Sequence, residues 1–266
     1  SLLAEHRQAW ARRWESADVV VEGDPELQRA VRFALFHLMA SVADSGEAAV
    51  GARGLSGPGY RGHVFWDSDV FVLPTLAAIH PEAAHAMLRY RVARLGAARE
   101  AAAEEHAQGA VWPWESADDG TDVTPRSVRT PEGMVVPIRT GQRERHIGAD
   151  IAWAAHEYTA WSGDDAFLRG DGRDLVLDGA RYWATKVRLD GAGRGHLYGM
   201  IGPDEYHEIV DDNAFTNVMA RWNLRRAADV LEGAGDPDGE ASGWRRVADA
   251  LVDGYDEATG CYEQCA

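Results

Sequence analysis

An all-α fold follows from three features of the sequence. Apolar residues recur at helical spacing through seven or so segments. The connections between them alternate between short and long. No strand–helix–strand rhythm and no Asn-Gly hairpin signal between alternating strands is present. The long connections are rich in Gly, Pro, Trp and acidic residues. Antiparallel helix pairs, stacked so that one set of loop ends converges, fit this pattern best: an α-helical toroid or an arc of one. A clean repeat of fixed period is missing, which disfavours a solenoid of identical units.

In chain order, Trp10 and Trp14 lie in an Arg-rich helical segment that leads to Val19-Val20-Val21. Asp24 as N-cap and Pro25 in the first turn start a helix over 25–43, with Leu27, Val31, Ala34, Leu35, Leu38, Met39 and Val42 on its apolar face. Six glycines between 46 and 62 make a long structured loop. It is not a phosphate-binding loop, since no Gly-Lys-Ser/Thr follows. Asp67 is placed to cap the next helix, with Val70, Leu73, Leu76 and Ala77 buried and Pro74 as a kink. Pro81 opens a helix over 81–104. Residues 117–144 read as irregular and polar, apart from the island Met134-Val135-Val136; a loop of that length usually forms a lid or a binding wall. Helix resumes near Arg145, with Ile147, Ile151, Ala154, Ala155, Tyr158 and Trp161 as its stripe, and stops at Gly163. Asp164 or Asp165 starts the next segment. A helix over 174–188 follows, with Gly179 marking close packing. Asn213 leads a helix through Leu231. A Gly-Asp-Pro linker precedes a last helix over 240–254.

With 266 residues, 45% of them apolar, the chain has the material for a sizeable core, in one large domain or two small ones. Ten tryptophans are many for this length and suit a ligand cleft as well as a core. A net charge of −16 argues against nucleic acid and anionic membrane as partners. Cys261 and Cys265 provide neither a disulfide framework nor a paired metal signature. With no apolar signal core and no spanning run, a soluble, cytoplasmic chain is expected.

The most concentrated chemistry is Gly202-Pro203-Asp204-Glu205-Tyr206-His207-Glu208: three carboxylates and a histidine behind a Gly-Pro turn. Pro203 suits neither a regular helix nor a central strand. The approach Leu197-Tyr198-Gly199-Met200-Ile201 is apolar. Taken alone, the stretch is either a solvated acidic loop or a carboxyl partly desolvated against a packed wall, where a raised pKa would suit a general acid.

Three more loop motifs precede it: Gly59-Tyr60-Arg61-Gly62-His63-Val64-Phe65-Trp66-Asp67, Trp112-Pro113-Trp114-Glu115-Ser116-Ala117, and His146-Ile147-Gly148-Ala149-Asp150-Ile151. After it comes Asp211-Asp212-Asn213-Ala214-Phe215-Thr216-Asn217. In this order the motifs resemble glycoside hydrolase family 65, the inverting phosphorylases of α-linked glucose disaccharides such as maltose, trehalose, kojibiose and nigerose. The resemblance covers nearly the whole chain. It implies an (α/α)6-barrel catalytic domain of which this chain is the first part. No Lys-Gln pair for the donor glucose and no later His/Ser phosphate segment is visible, and seven helices would not close a toroid of twelve. An open arc of this kind is expected to be poorly active alone and to associate, for instance as a homodimer.

The resemblance makes Glu205 the general acid and inorganic phosphate the nucleophile, with no cofactor and no metal. The reaction would be inverting phosphorolysis to β-glucose 1-phosphate and a free sugar, with trehalose or maltose as the leading substrates. Trp66 and Asp67 resemble the donor-sugar wall, as do Trp114 and Glu115; the plain alternative is a core tryptophan beside a helix cap. Arg61 and His63 are polar supports. His146 and Asp150, four apart on one helical face, either line the pocket or pair with each other. Asp204 orients the turn, His207 supports it by hydrogen bonding, and Glu208 caps the following helix. Asn213 supports the site or caps that helix. A metal site at Asp204, His207 and Glu208 lacks a second ligand pair. The competing readings are an inverting hydrolase of the same family, of the acid trehalase or kojibiose hydrolase type, and a truncated, non-catalytic sugar-binding toroid.

Overall fold

The computed structural model describes residues 1–236 and 238–266. The Gly-Asp-Pro linker ends on Pro237, outside the described residues. Among the described residues ten α-helices form the body: α1 (Leu2–Ala17), α2 (Pro25–Ala40), α3 (Leu73–Ile79), α4 (Pro81–Glu104), α5 (Thr140–Arg143), α6 (Ile147–Ser162), α7 (Asp165–Arg169), α8 (Arg173–Lys186), α9 (Ala214–Gly233) and α10 (Glu240–Ala250). The all-α expectation holds. Packing runs from neighbour to neighbour: α10 on α9, α9 on α8, α8 on α6, and α6 on α3 and α4. That succession is what stacked helix pairs of a toroid require.

Local chemistry sets most of the boundaries. The Asp24 carboxylate accepts from the backbone N–H groups of Glu26 and Leu27, an N-cap worth about 1 kcal/mol. Asn213 does the same for α9 through Thr216 N–H. Gly163 closes α6 in the left-handed conformation, φ 74°. Gly179 allows α8 to lie against α9, since a Cβ there would stand 2.5 Å from Asn223 Oδ1.

Four local expectations need correction. Asp67 makes no side-chain cap; a π-helical turn, Ser68–Val72, leads directly into α3. Pro74 has no N–H to give to a regular helical ladder, and the wide turn before it absorbs the break. Residues 117–144 are not wholly irregular. β1 (Ser127–Arg129) and β2 (Val135–Pro137) form an antiparallel ribbon, with Val128 opposite Val136. Two further ribbons pair β3 (Arg188–Leu189) with β4 (Gly195–His196) and β5 (Tyr255–Asp256) with β6 (Cys261–Tyr262). Trp161 lies outside the α6 stripe and is exposed. Of the α2 stripe only Leu35, Met39 and Val42 are buried, and Leu27 faces solvent.

One apolar core extends from Val42 to Leu251 and includes Leu73, Met87, Ile151, Leu175, Trp183 and Leu224. A second, smaller cluster of Ala17, Leu35 and Met39 seats α1 on α2. No described helix is long and apolar enough to cross a membrane.

Candidate active site

The loop over 202–208 is held from below by a short backbone clamp. Met200 and Val210 exchange hydrogen bonds of 2.8 and 2.9 Å, Ile201 N–H donates to Arg143 O at 3.0 Å, and Asp212 N–H donates to Leu197 O at 2.8 Å. The Asp212 carboxylate accepts from Leu197 N–H at 3.0 Å. Ile209 and Asp212 take left-handed backbone angles, φ 56° and 49°. For β-branched Ile209 this is a strained conformation that the clamp imposes. Gly202 rests on Asn213, so the loop starts where the cap of α9 is made.

Within the loop the carboxylates have separate tasks. Asp204 accepts from Gln264 Nε2 at 2.7 Å and from Tyr206 N–H at 3.2 Å, and pairs with His207 Nδ1 at 2.9 Å. The Gln264 bond, then the Tyr206 bond, holds the Asp204 carboxyl below its ordinary range. Asp204 and His207 thus fix the turn. Glu208 does not cap α9; it pairs with Arg139 at 3.5 Å. Glu205 is exposed on the loop, and its carboxyl is raised above its ordinary pKa, first by partial loss of hydration and then by the negative charges of Glu144, Asp67 and Glu208. None of the groups acting on Glu205 is a hydrogen-bond partner. Its proton is therefore retained to higher pH and is not committed to a neighbour.

The Glu144–Ile201 backbone bridge joins the foot of this loop to a buried charge cluster that carries the His146 motif. His146 is fully buried, with Nδ1 2.5 Å from Asp150 and Nε2 3.1 Å from Glu144. Burial alone would lower its pKa, but Asp150 and Glu144 raise it to about 9. Glu144 and Asp150 are both raised by burial, against the pull of His146. One oxygen of each carboxylate, Glu144 Oε2 and Asp150 Oδ1, has no partner among the described residues. Of the two readings of His146 and Asp150, pairing is the one present. The imidazole does not reach open solvent. Trp66 and Phe215 close over it edge-on, with ring centroids 4.9 and 5.1 Å away.

The first two motifs are brought together by a backbone bridge between Val64 and Ser116. His63 Nδ1 lies 2.7 Å from Glu115 Oε1, and Trp114 stands edge-on to Phe65 at 4.9 Å. The buried Trp114 Nε1–H has no acceptor among the described residues. Trp66 is nearly buried; Asp67 is exposed as a residue, but the neighbouring protein partly strips water from its carboxyl, which raises its pKa. Asp67 lines an apolar cavity of about 650 Å³ together with Phe33, Leu55 and Phe71. Arg61 faces a different cavity, with His63 and Asp118. Asn213 is buried, caps α9, and also donates to Gln264 O at 3.4 Å.

Glu144, Phe215, Gln264 and the buried pair Asp69–Arg91 were not singled out from sequence. Arg91 Nη2 lies 2.6 Å from Asp69 and also donates to Phe65 O, which anchors the segment carrying Trp66 and Asp67. Only the placement of Glu144 two residues before His146 gave a local signal. Among the described residues no group of three His, Cys, Asp or Glu is arranged to hold a metal ion.

The succession of stacked helices, with the long loops carrying the four motifs, defines the class of the chain as part of a helical toroid domain. The model of the glycosyl hydrolase family 65 central catalytic domain matches residues 32–266. The chain belongs to glycoside hydrolase family 65. It is 42% identical over 231 residues to a kojibiose phosphorylase of Caldanaerobacter subterraneus subsp. tengcongensis, which covers 86% of this chain and 30% of that protein. It is 38% identical over 250 residues to a kojibiose hydrolase of Mucilaginibacter mallensis, covering 93% and 35%. A solved structure described as a putative kojibiose phosphorylase from human microbiome superposes over 99% of this chain and 39% of its own, with TM-score 0.84 at 20% identity; this bears on the fold alone. The chain thus spans about 30% of the length of the first of these relatives.

Proposed function

We propose that the protein cleaves an α-linked glucose disaccharide by inverting phosphorolysis, with Glu205 as the general acid. The observation that carries this is the state of Glu205: it sits on a clamped loop, raised in pKa under the negative charges of Glu144 and Asp67, with no hydrogen-bonded partner among the described residues. Such a carboxyl protonates the glycosidic oxygen as the bond to the departing sugar breaks. Phosphate attacks the anomeric carbon from the opposite face, and β-glucose 1-phosphate and a free sugar leave. Because phosphate is itself the nucleophile, no second carboxylate need activate water.

Trp66 and Trp114 would supply apolar faces to the donor ring, and Asp67 and Glu115 would accept from its hydroxyls. His63 would orient Glu115 through their 2.7 Å contact. The names of the relatives move the first substrate to test from trehalose and maltose to kojibiose. As a domain, residues 1–266 would form the first part of the catalytic barrel.

The hydrolase reading is supported by the 38% identity to a kojibiose hydrolase over 93% of the chain. One assay separates the two. Kojibiose cleavage by the protein is measured with and without phosphate, and the product is identified as glucose 1-phosphate or glucose. Turnover that depends on phosphate and yields the β-phosphate supports phosphorolysis. Equal turnover in phosphate-free buffer assigns a hydrolase.

A further inference from the structure

Behind the base of the acid loop is a cavity of about 220 Å³ between the C-terminal end of α8 and the segment around Arg143. Arg143, Arg145, Lys186 and Arg188 line it, with Glu105 as the lone carboxylate. This concentration of positive charge stands out in a chain of net charge −16. Glu105 is fully engaged. Its Oε1 is 2.6 Å from Arg145 Nη2, its Oε2 is 2.6 Å from Lys186 Nζ, and Tyr182 donates to it at 3.1 Å. Burial would raise the Glu105 pKa, but Arg145 and Lys186 hold it below its ordinary range, so the carboxylate stays ionised and neutralises only part of the lining.

Arg143 and Arg188 have no carboxylate within ion-pair distance among the described residues. The Arg143 guanidinium lies along the Gly199 backbone, with Nη1 3.3 Å from where a Cβ would be. A second Tyr ring, that of Tyr198, completes the wall.

We propose that this cavity binds a phosphoryl dianion, either inorganic phosphate or the phosphate group of a sugar monoester. Guanidinium forks give paired hydrogen bonds to tetrahedral oxyanions, and an ammonium adds a compact point charge. The net excess of cations, two of them without partners, matches a dianion better than a single carboxylate. A nucleic acid is disfavoured by the size of the cavity and by the net charge of −16 of the chain. The site is separate from the catalytic cluster, but Arg143 links them: its carbonyl accepts from Ile201 N–H at 3.0 Å, at the foot of the acid loop. The proposal stands whether or not cleavage at Glu205 uses phosphate.

Lys186 is the only lysine in the chain, so its acetylation, followed by mass spectrometry, reports on this cavity alone. The protein is titrated with inorganic phosphate, and in a second arm with glucose 6-phosphate, at ionic strength held constant with chloride. Saturable protection of Lys186 is expected. The arm that protects at lower concentration identifies the source, the free ion or the monoester. In the double variant Arg143→Gln/Arg188→Gln the apparent affinity is expected to fall about tenfold or more. Both are exposed side chains, so the core stays intact. Unchanged Lys186 reactivity in both arms, or equal protection in the double variant, overturns the proposal.

Discussion

Gly202 and Asn213 are in such close contact that a Cβ on Gly202 would stand 2.5 Å from both Oδ1 and Nδ2 of the Asn213 carboxamide. That carboxamide also accepts from Thr216 N–H at 3.0 Å, so the acid loop and the first turn of α9 pack as one unit. Gly202→Ala is expected to cost about 1–3 kcal/mol in urea unfolding and to lower turnover, because either the cap or the loop must shift. Gly148→Ala is the control: its Cβ would meet Trp112 Cδ1 at an ordinary 3.5 Å, and stability is expected to change little. A fully stable and active Gly202→Ala protein contradicts the coupling.

Asp69 and Arg91 form an ion pair with both side chains almost completely buried. Removing one partner strands the other charge in the core. Arg91→Met alone is expected to destabilise by about 3–5 kcal/mol, and the double variant Asp69→Leu/Arg91→Met by clearly less. Equilibrium denaturation of the three proteins tests this. Equal losses in the single and double variants would mean that packing, not stranded charge, sets the cost.

Much of the fold was legible because its signals are local. Asp24 with Pro25, Gly163 and Asn213 each act on backbone groups within a few positions, and each fixes a helix end as expected. The ribbon over 127–137 was not legible: both of its strands are exposed on both faces, so no alternation of apolar and polar residues marks them. The site divides the same way. The acid loop announces itself in five consecutive residues, whereas Asp69–Arg91 and Asp204–Gln264 join residues far apart in sequence, and such pairings leave no spacing to read. Glu144 is an intermediate case. It lies two residues before His146, but its relation to Glu205 exists only once the Glu144–Ile201 bridge has formed.

The charge of Glu144 helps to keep Glu205 protonated, so its removal should show in a pH profile. Activity requires the protonated acid and falls as pH rises through the Glu205 pKa. Glu144→Gln removes a negative neighbour and lowers that pKa. The alkaline limb of kcat/KM is therefore expected to move to lower pH, by about a unit or less. A limb that stays in place while the maximum rate falls would assign Glu144 a purely structural role.

Stability should decline at alkaline pH through His146. Its folded pKa of about 9 lies above the ordinary 6.5, so its contribution is complete below pH 6.5 and is lost as pH rises to about 9. Glu144 and Asp150, also raised, act with the same sign, because the folded state keeps their protons longer. The urea midpoint is expected to fall across that window, and His146→Gln to flatten the slope. An equally steep decline in His146→Gln would place the titrating group elsewhere.

The most direct test of Glu205 as the acid compares two substrates in Glu205→Gln. Kojibiose needs its leaving oxygen protonated, whereas α-glucosyl fluoride does not. The rate on kojibiose is expected to fall by about 10²–10⁴-fold while the rate on the fluoride is largely kept. Equal losses on both substrates, or near-normal turnover of kojibiose, would contradict the assignment.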